Sequence, residues 1–207
     1  VMSHLGLKSA VRLLVKDTLN RAEKYIQQAV QALNNGAVRQ CPVGVYYQGQ
    51  SGIGKSSFLP GVSMSLFPHL EQTEACYGRN FMDAFWSRYY GQPLVYIDDY
   101  GTAKGEKGQA STQEVMQLVS TVPYSLNMAD LTSKGLPFNS KVLLLTSNTC
   151  LSQDQPGITN QDAFKLRFIY FKMRVKPEYA TPTGSLDRAK FESIPKAQKP
   201  FAPHLDF

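Results

Sequence analysis

The 207 residues contain no long hydrophobic run. The longest aliphatic stretch, Val142-Leu143-Leu144-Leu145, is far short of the roughly 20 residues that a helix needs to cross a bilayer. Cysteine and histidine are scarce, three of each, and Cys41, Cys76 and Cys150 stand far apart. No spacing among them suits a zinc site, and an odd number of scattered thiols points to a reducing compartment, the cytoplasm by default. Val1 is followed by no basic-then-apolar leader with a small-residue cleavage site, so the chain reads as a piece of a longer protein and not as a secreted precursor. Charged residues make up only 18% against 43% hydrophobic, too apolar for a disordered chain and ordinary for a packed domain. The length fits a single domain without internal repeats.

The charge that is present gathers at the two ends. Residues 1–40 hold six Lys/Arg against two Asp/Glu, residues 41–160 seven against nine, and residues 161–207 nine against five. Basic ends suit nucleic acid or an anionic membrane, but they are also common on ordinary solvated surfaces.

Periodicity divides the chain. From Ser9 to Leu33 apolar residues such as Leu14, Leu19, Ala22, Tyr25, Ile26 and Leu33 recur every three or four positions, which predicts a helix with one buried face ended at Gly36. Val43–Gln48 reads as a strand, followed by a glycine-rich turn and a helix from Lys55 that Pro60 threatens to break. Leu94–Ile97, Lys141–Thr146 and Phe168–Val175 read as further strands. Gly101–Gln109 reads as a loop, and Ser111–Val119 as a helix with Ser111 as N-cap. Five prolines from Pro177 onward predict an extended tail. Apolar strands alternating with helices imply an α/β fold with a mostly parallel sheet covered on both faces. The expected organisation is a helical segment over 1–40 packed on the core, the core over 41–176, and the tail over 177–207.

Gly49-Gln50-Ser51-Gly52-Ile53-Gly54-Lys55-Ser56 matches the phosphate-loop pattern G-x-x-x-x-G-K-[ST] at every position. Glycines let backbone N–H groups turn inward around phosphates, Lys55 supplies a cation for the β- and γ-phosphates, and the Ser56 hydroxyl is placed to ligate Mg²⁺. Asp98 and Asp99 close an apolar strand, where one carboxylate can hold Mg²⁺ through water while the other orients or deprotonates an attacking water. Asn148 follows a third strand as an uncharged amide placed to hydrogen-bond a γ-phosphate or a lytic water; read alone, Ser147-Asn148 is better taken as a turn cap. Arg167 is a candidate for stabilising charge on a transferred phosphoryl group, in cis or from a neighbouring subunit.

These four motifs in this order resemble the superfamily 3 helicases of small viruses. The stretches Phe85–Gly101, Gln117–Thr121, Asn127–Asn148 and Asp162–Phe168 are similar, more narrowly, to the 2C-like ATPases of picornaviruses and picorna-like RNA viruses. The resemblance implies a three-layer, AAA-type phosphate-loop core that hydrolyses ATP with Mg²⁺. It also implies a homo-oligomeric ring, often a hexamer, with an arginine finger supplied in trans. By position, Asp98 and Ser56 bind Mg²⁺, Asp99 is the catalytic carboxylate, Asn148 the sensor and Arg167 the finger. The family serves viral RNA replication on remodelled membranes in the host cytoplasm, with helicase and RNA-chaperone activities. Loops facing the centre of such a ring carry Lys104, Lys107 and Lys134 as candidate RNA contacts. Two departures stand out. Picornaviral members commonly have two adjacent arginines at the finger, and here the first is Leu166; no cysteine-rich zinc element or oligomerising C-terminal helix is visible before Phe207.

Two other readings remain beside an RNA motor. One is a membrane-associated replication scaffold whose ATPase regulates assembly without unwinding, for which the apolar stripe of residues 9–33 is the relevant feature. The other is a nucleotide kinase, disfavoured because no arginine-rich lid is present.

Overall fold

The computed structural model describes residues 38–151, 153, 155–193 and 204–206, with isolated positions Lys16, Thr18, Leu19, Arg21, Ala22 and Tyr25. The helix expected over 9–33 lies outside the described residues apart from those six positions, which are helical. Leu19 and Tyr25, assigned by periodicity to the buried face, are exposed.

Strands β1 (Val43–Gln48), β2 (Cys76–Gly78), β3 (Leu94–Ile97), β4 (Val142–Ser147) and β5 (Phe168–Lys172) form one sheet in the order β2-β3-β4-β1-β5. Every neighbouring pair is parallel. The central strands β3 and β4 carry continuous apolar runs, Leu94–Ile97 and Val142–Leu145, because both their faces are covered. In β4, Leu143 and Leu145 join a cluster with Tyr46, Trp86, Val115 and Phe164 on one face, while Leu144 joins Ile53, Phe58, Leu59 and Leu205 on the other. Helix α1 (Lys55–Leu66) and helix α3 (Gly105–Leu118) contribute to these two opposite clusters, giving the expected layered α/β architecture. Short α2 (Gln72–Ala75) has a capping box of Glu71 and Glu74, and α4 (Gln161–Lys165) is capped by the Asn160 side chain.

Gly44 sets how closely β5 approaches β1. A Cβ there would lie 2.6 Å from the Arg167 carbonyl oxygen, so a side chain would force the strands apart. Registers Gln48↔Ser147 and Ile97↔Leu145 bring the exits of β1, β3 and β4 to one edge of the sheet.

Four local expectations are corrected. The helix read as Ser111–Val119 begins at Gly105, so Ser111 is no cap; its hydroxyl donates to the Gly108 carbonyl inside the helix. Helix α1 continues through Pro60, carried by the packing of Phe58 and Leu59 against the sheet. The strand read as Phe168–Val175 divides at Met173, after which β6 (Arg174–Val175) leaves the main sheet and pairs antiparallel with β7 (Leu205–Asp206). The region read as an extended tail contains a 3₁₀ turn (Pro177–Tyr179), an Ala180–Leu186 bridge and helix α5 (Arg188–Glu192), and β7 returns to bury Leu205 beneath Ile53.

Candidate nucleotide site

The loop after β1 begins with the Gly49 N–H donating to the Ser147 carbonyl at 3.0 Å, which pins it to the end of β4. Gly54 then takes φ 87° as the N-cap of α1, a left-handed conformation that favours glycine, and it brings no capping side chain. The first-turn N–H groups of a 12-residue helix therefore face the loop's concavity, an arrangement suited to an anion.

Lys55 follows directly. It is 6% exposed, and Nζ donates to the carbonyls of Gly49 (3.0 Å) and Gln50 (2.9 Å) and to Asn148 Oδ1 (2.6 Å). Burial lowers its pKa, and the nearby carboxylates of Asp99 and Asp98 oppose that shift. All three ammonium protons are thus held at the loop's centre on neutral oxygens, which phosphate oxygens can replace with a gain of charge pairing. Two residues 93 positions apart meet here because β1 and β4 are neighbours.

Asp98 and Asp99 form the turn that leaves β3, both exposed, with Asp99 at φ 51°. The Thr146 hydroxyl donates to Asp98 Oδ1 and accepts the Asp99 N–H at 3.1 Å. Asp98 and Ser56 line one cleft with Leu59, Gln72, Cys76 and Tyr96. A hydroxyl and a carboxylate are the hard oxygen donors that Mg²⁺ prefers, and this ion ordinarily completes its shell with water and substrate phosphates. The residues therefore fit Mg²⁺ brought in with a nucleotide. Among the described residues no group of three or more His, Cys, Asp or Glu side chains forms a metal cage of its own.

The remaining expected residues lie elsewhere. Arg167 sits between α4 and β5, at the sheet's entrance edge, opposite the phosphate loop, and donates to the Val119 carbonyl at 2.9 Å. Lys104 is the N-cap of α3 and Lys107 lies in its first turn, both exposed just after the carboxylate turn. Lys134 is exposed in a hairpin-like excursion closed by the Ser125–Pro137 bridge and by Leu126 N–H donating to Leu136 O at 2.9 Å. This excursion follows the C-terminal end of α3, so the three lysines leave the core at opposite ends of that helix. Sequence reasoning gave no role to Thr146 or Tyr46, and to Ser147 only that of a turn cap. The available signal was a pair of hydroxyls at the end of an otherwise aliphatic strand. Tyr46 donates to the Thr149 carbonyl at 2.8 Å, and burial raises its pKa to about 12.

Residues 45–149 match the RNA helicase family, a span that holds the phosphate loop, both carboxylates and Asn148 and stops short of Arg167. The chain is 26% identical over 202 residues to the RNA1 polyprotein of Broad bean wilt virus 1, covering 97% of the chain and 11% of that polyprotein. It is 32% identical over 180 residues to the RNA1 polyprotein of Tobacco ringspot virus, covering 86% and 8% respectively. To the genome polyprotein of Avian encephalomyelitis virus (strain Van Reokel) it is 33% identical over 160 residues, covering 76% and 7%. The chain therefore spans 11% or less of the length of each of these curated relatives.

Proposed function

Since the chain belongs to the RNA helicase family, in the superfamily 3 branch found in picorna-like virus polyproteins, we propose that it is an ATP-hydrolysing motor acting on RNA during viral genome replication. The observation that carries this reading is the convergence at Lys55. Its ammonium touches the phosphate loop and Asn148 together, on the sheet edge where Asp98 and Asp99 also emerge.

In this reading ATP lies along the phosphate loop with its γ-phosphate toward β3 and β4. Ser56 and Asp98 would hold Mg²⁺, which would supply neutralisation of phosphate charge. Asp99 orients the attacking water and accepts its proton, and Asn148 hydrogen-bonds that water or the γ-phosphate without adding negative charge. Lys55 moves from carbonyl partners to phosphate oxygens, so its stabilisation grows as charge develops. Arg167 serves the neighbouring subunit of a homo-oligomeric ring. Supporting this, Leu166 beside it is 87% exposed and Ile169 is 53% exposed, apolar surface of the kind a subunit contact covers. Residues 162–176 hold five Lys/Arg against one Asp, whereas residues 69–99, which include the opposite sheet edge, hold five Asp/Glu against two Arg. Opposite charge on opposite edges suits a head-to-tail interface that closes into a ring. Lys104, Lys107 and Lys134 are the proposed RNA phosphate contacts, and the proposed setting is a membrane-associated replication complex in the host cytoplasm.

The test is ATP turnover of the chain and of Lys55→Ala, with single-stranded RNA or with liposomes. Turnover should rise with RNA, and Lys55→Ala should lower it by about 10²-fold or more with its melting curve unchanged. Half-retained turnover in a folded Lys55→Ala protein would refute the assignment. Stimulation by liposomes and not by RNA would favour a scaffold over a motor.

A further inference from the structure

Thr146 and Ser147, at the exit of β4, are both fully buried and polar, and neither enters the mechanism above. A hydroxyl has one proton to give and two lone pairs. The Asp99 N–H can only donate, so Thr146 accepts it and gives its own proton to Asp98 Oδ1. The Thr146 carbonyl accepts the next N–H, from Tyr100, at 2.8 Å. Ser147 works the same way one residue later. Its hydroxyl donates to the Tyr100 carbonyl at 2.6 Å and accepts the Thr149 N–H at 3.0 Å. Three consecutive residues of the carboxylate turn are thus tied to β4, and the segment bearing Asn148 is tied to the same hydroxyls.

Resting on the functional reading above, we infer that Thr146 is a positioning residue for ATP hydrolysis. It engages one oxygen of Asp98 and so fixes the orientation of a carboxylate that lines the cleft shared with Ser56. It also ties down the backbone of Asp99 at φ 51°, a left-handed conformation uncommon for non-glycine residues although aspartate adopts it more readily than most. Ser147 then makes the carboxylate turn and the Asn148 segment a single unit, so that metal ligand, base and amide are set relative to one another before nucleotide arrives. A purely structural role for Thr146 is the competing account. Asp98 and Asp99 are exposed, so water can replace the lost hydrogen bonds, and valine has nearly the shape of threonine. Removing the hydroxyl should therefore affect chemistry more than folding.

The experiment compares Thr146→Val and Thr146→Ser with the unsubstituted chain in three measurements. These are calorimetric titration of Mg²⁺ into the complex with a non-hydrolysable ATP analogue, kcat and KM for ATP, and thermal melting. Loss of an outer partner of a metal-ligating carboxylate typically weakens metal affinity or activity by roughly 10–100-fold. Thr146→Val should raise the half-saturating Mg²⁺ concentration and lower kcat by amounts in that range, with KM for ATP and melting little changed. Thr146→Ser, which keeps the hydroxyl, should restore both. Thr146→Val binding Mg²⁺ and turning over normally, or Thr146→Ser failing as badly as valine, overturns the inference. Should the valine variant not fold, the same measurements on Thr146→Ala decide in the same way. An unsubstituted chain that binds no Mg²⁺–nucleotide overturns the functional reading itself, whereas a normal Thr146→Val protein overturns this inference alone.

Discussion

Under the proposed function Arg167 ties activity to assembly, and its place in the fold makes the consequence calculable. It precedes Phe168, which pairs with Gly44, whereas the phosphate loop begins at Gly49. Five residues of β1 at about 3.3 Å each put roughly 17 Å between Arg167 and its own loop, farther than an arginine side chain reaches. Action within one subunit is therefore ruled out for this arrangement, and a finger acting in trans predicts complementation. Arg167→Ala alone and Lys55→Ala alone should each be nearly inactive, because such a finger contributes roughly 10³–10⁵ in turnover. In an equal mixture, about one interface in four pairs an intact finger with an intact loop, given random head-to-tail assembly. Activity should then recover to roughly a quarter of the unsubstituted level, an increase of about two orders of magnitude or more over Arg167→Ala and of at least about one order over Lys55→Ala. The assay is steady-state phosphate release from pre-mixed variants at high protein concentration, alongside a concentration series of the unsubstituted chain, whose turnover per subunit should rise steeply. The single guanidinium is flanked by Leu166 and spends one donor on Val119 O, so the interface needs high concentration to populate. No rescue at any ratio, together with turnover per subunit independent of concentration, would refute the ring mechanism and leave a simple phosphate-loop hydrolase.

Three further outcomes are expected. Glu114 forms a bidentate pair with buried Arg79 at 3.0 and 3.1 Å and accepts the Trp86 indole N–H at 2.8 Å. Glu114→Ala leaves that buried guanidinium with backbone carbonyl partners but no counter-charge, which should cost about 3–5 kcal/mol, lowering the melting temperature by roughly 6–20 °C in a domain of this size; a change of a degree or two contradicts the argument. Burial, opposed by the backbone of Ile53 and aided by the Lys176 cation, lowers the His204 pKa below its ordinary 6.5. Below 6.5 the unfolded chain binds a proton that the folded chain refuses, so the stability present above that pH is lost as pH falls toward the lowered folded value. His204→Phe should narrow the difference in melting temperature between about pH 8 and about pH 5, and an unchanged difference would show that His204 does not contribute. Lys134→Ala should weaken binding to all single-stranded RNAs alike and reduce the salt slope by about one unit; an unchanged slope assigns that hairpin a structural role.

The features that could be read from sequence are those whose cause is local. Leu94–Ile97 and Val142–Leu145 are continuous apolar runs because each face of those strands is covered, and the phosphate loop is a run of residues chosen by one ligand. The start of α3 was missed because Gly105 and Gly108 depress helix propensity. A Cβ at Gly108 would lie 2.6 Å from the Ala103 carbonyl oxygen, so that glycine answers a packing demand invisible in a linear pattern. Strand β2 has three residues and helix α2 four, too few for any period to show. The β6–β7 pairing joins segments about 30 residues apart through a Pro-rich stretch, so only tertiary structure reveals that the chain returns to cover Ile53. The site divides along the same line. Asn148 by itself reads as a turn cap before it reads as a ligand for phosphate. What sets it beside Lys55 is the parallel register that pairs Gln48 with Ser147, a fact about two strands whose paired residues lie 99 positions apart in sequence. The hydroxyls of Thr146 and Ser147 are further still from what sequence can show, because each serves a turn that belongs to another strand. Residues that touch the nucleotide are constrained by its chemistry and form patterns; residues that hold those in place are constrained by the fold, and become visible only when the strands are laid side by side.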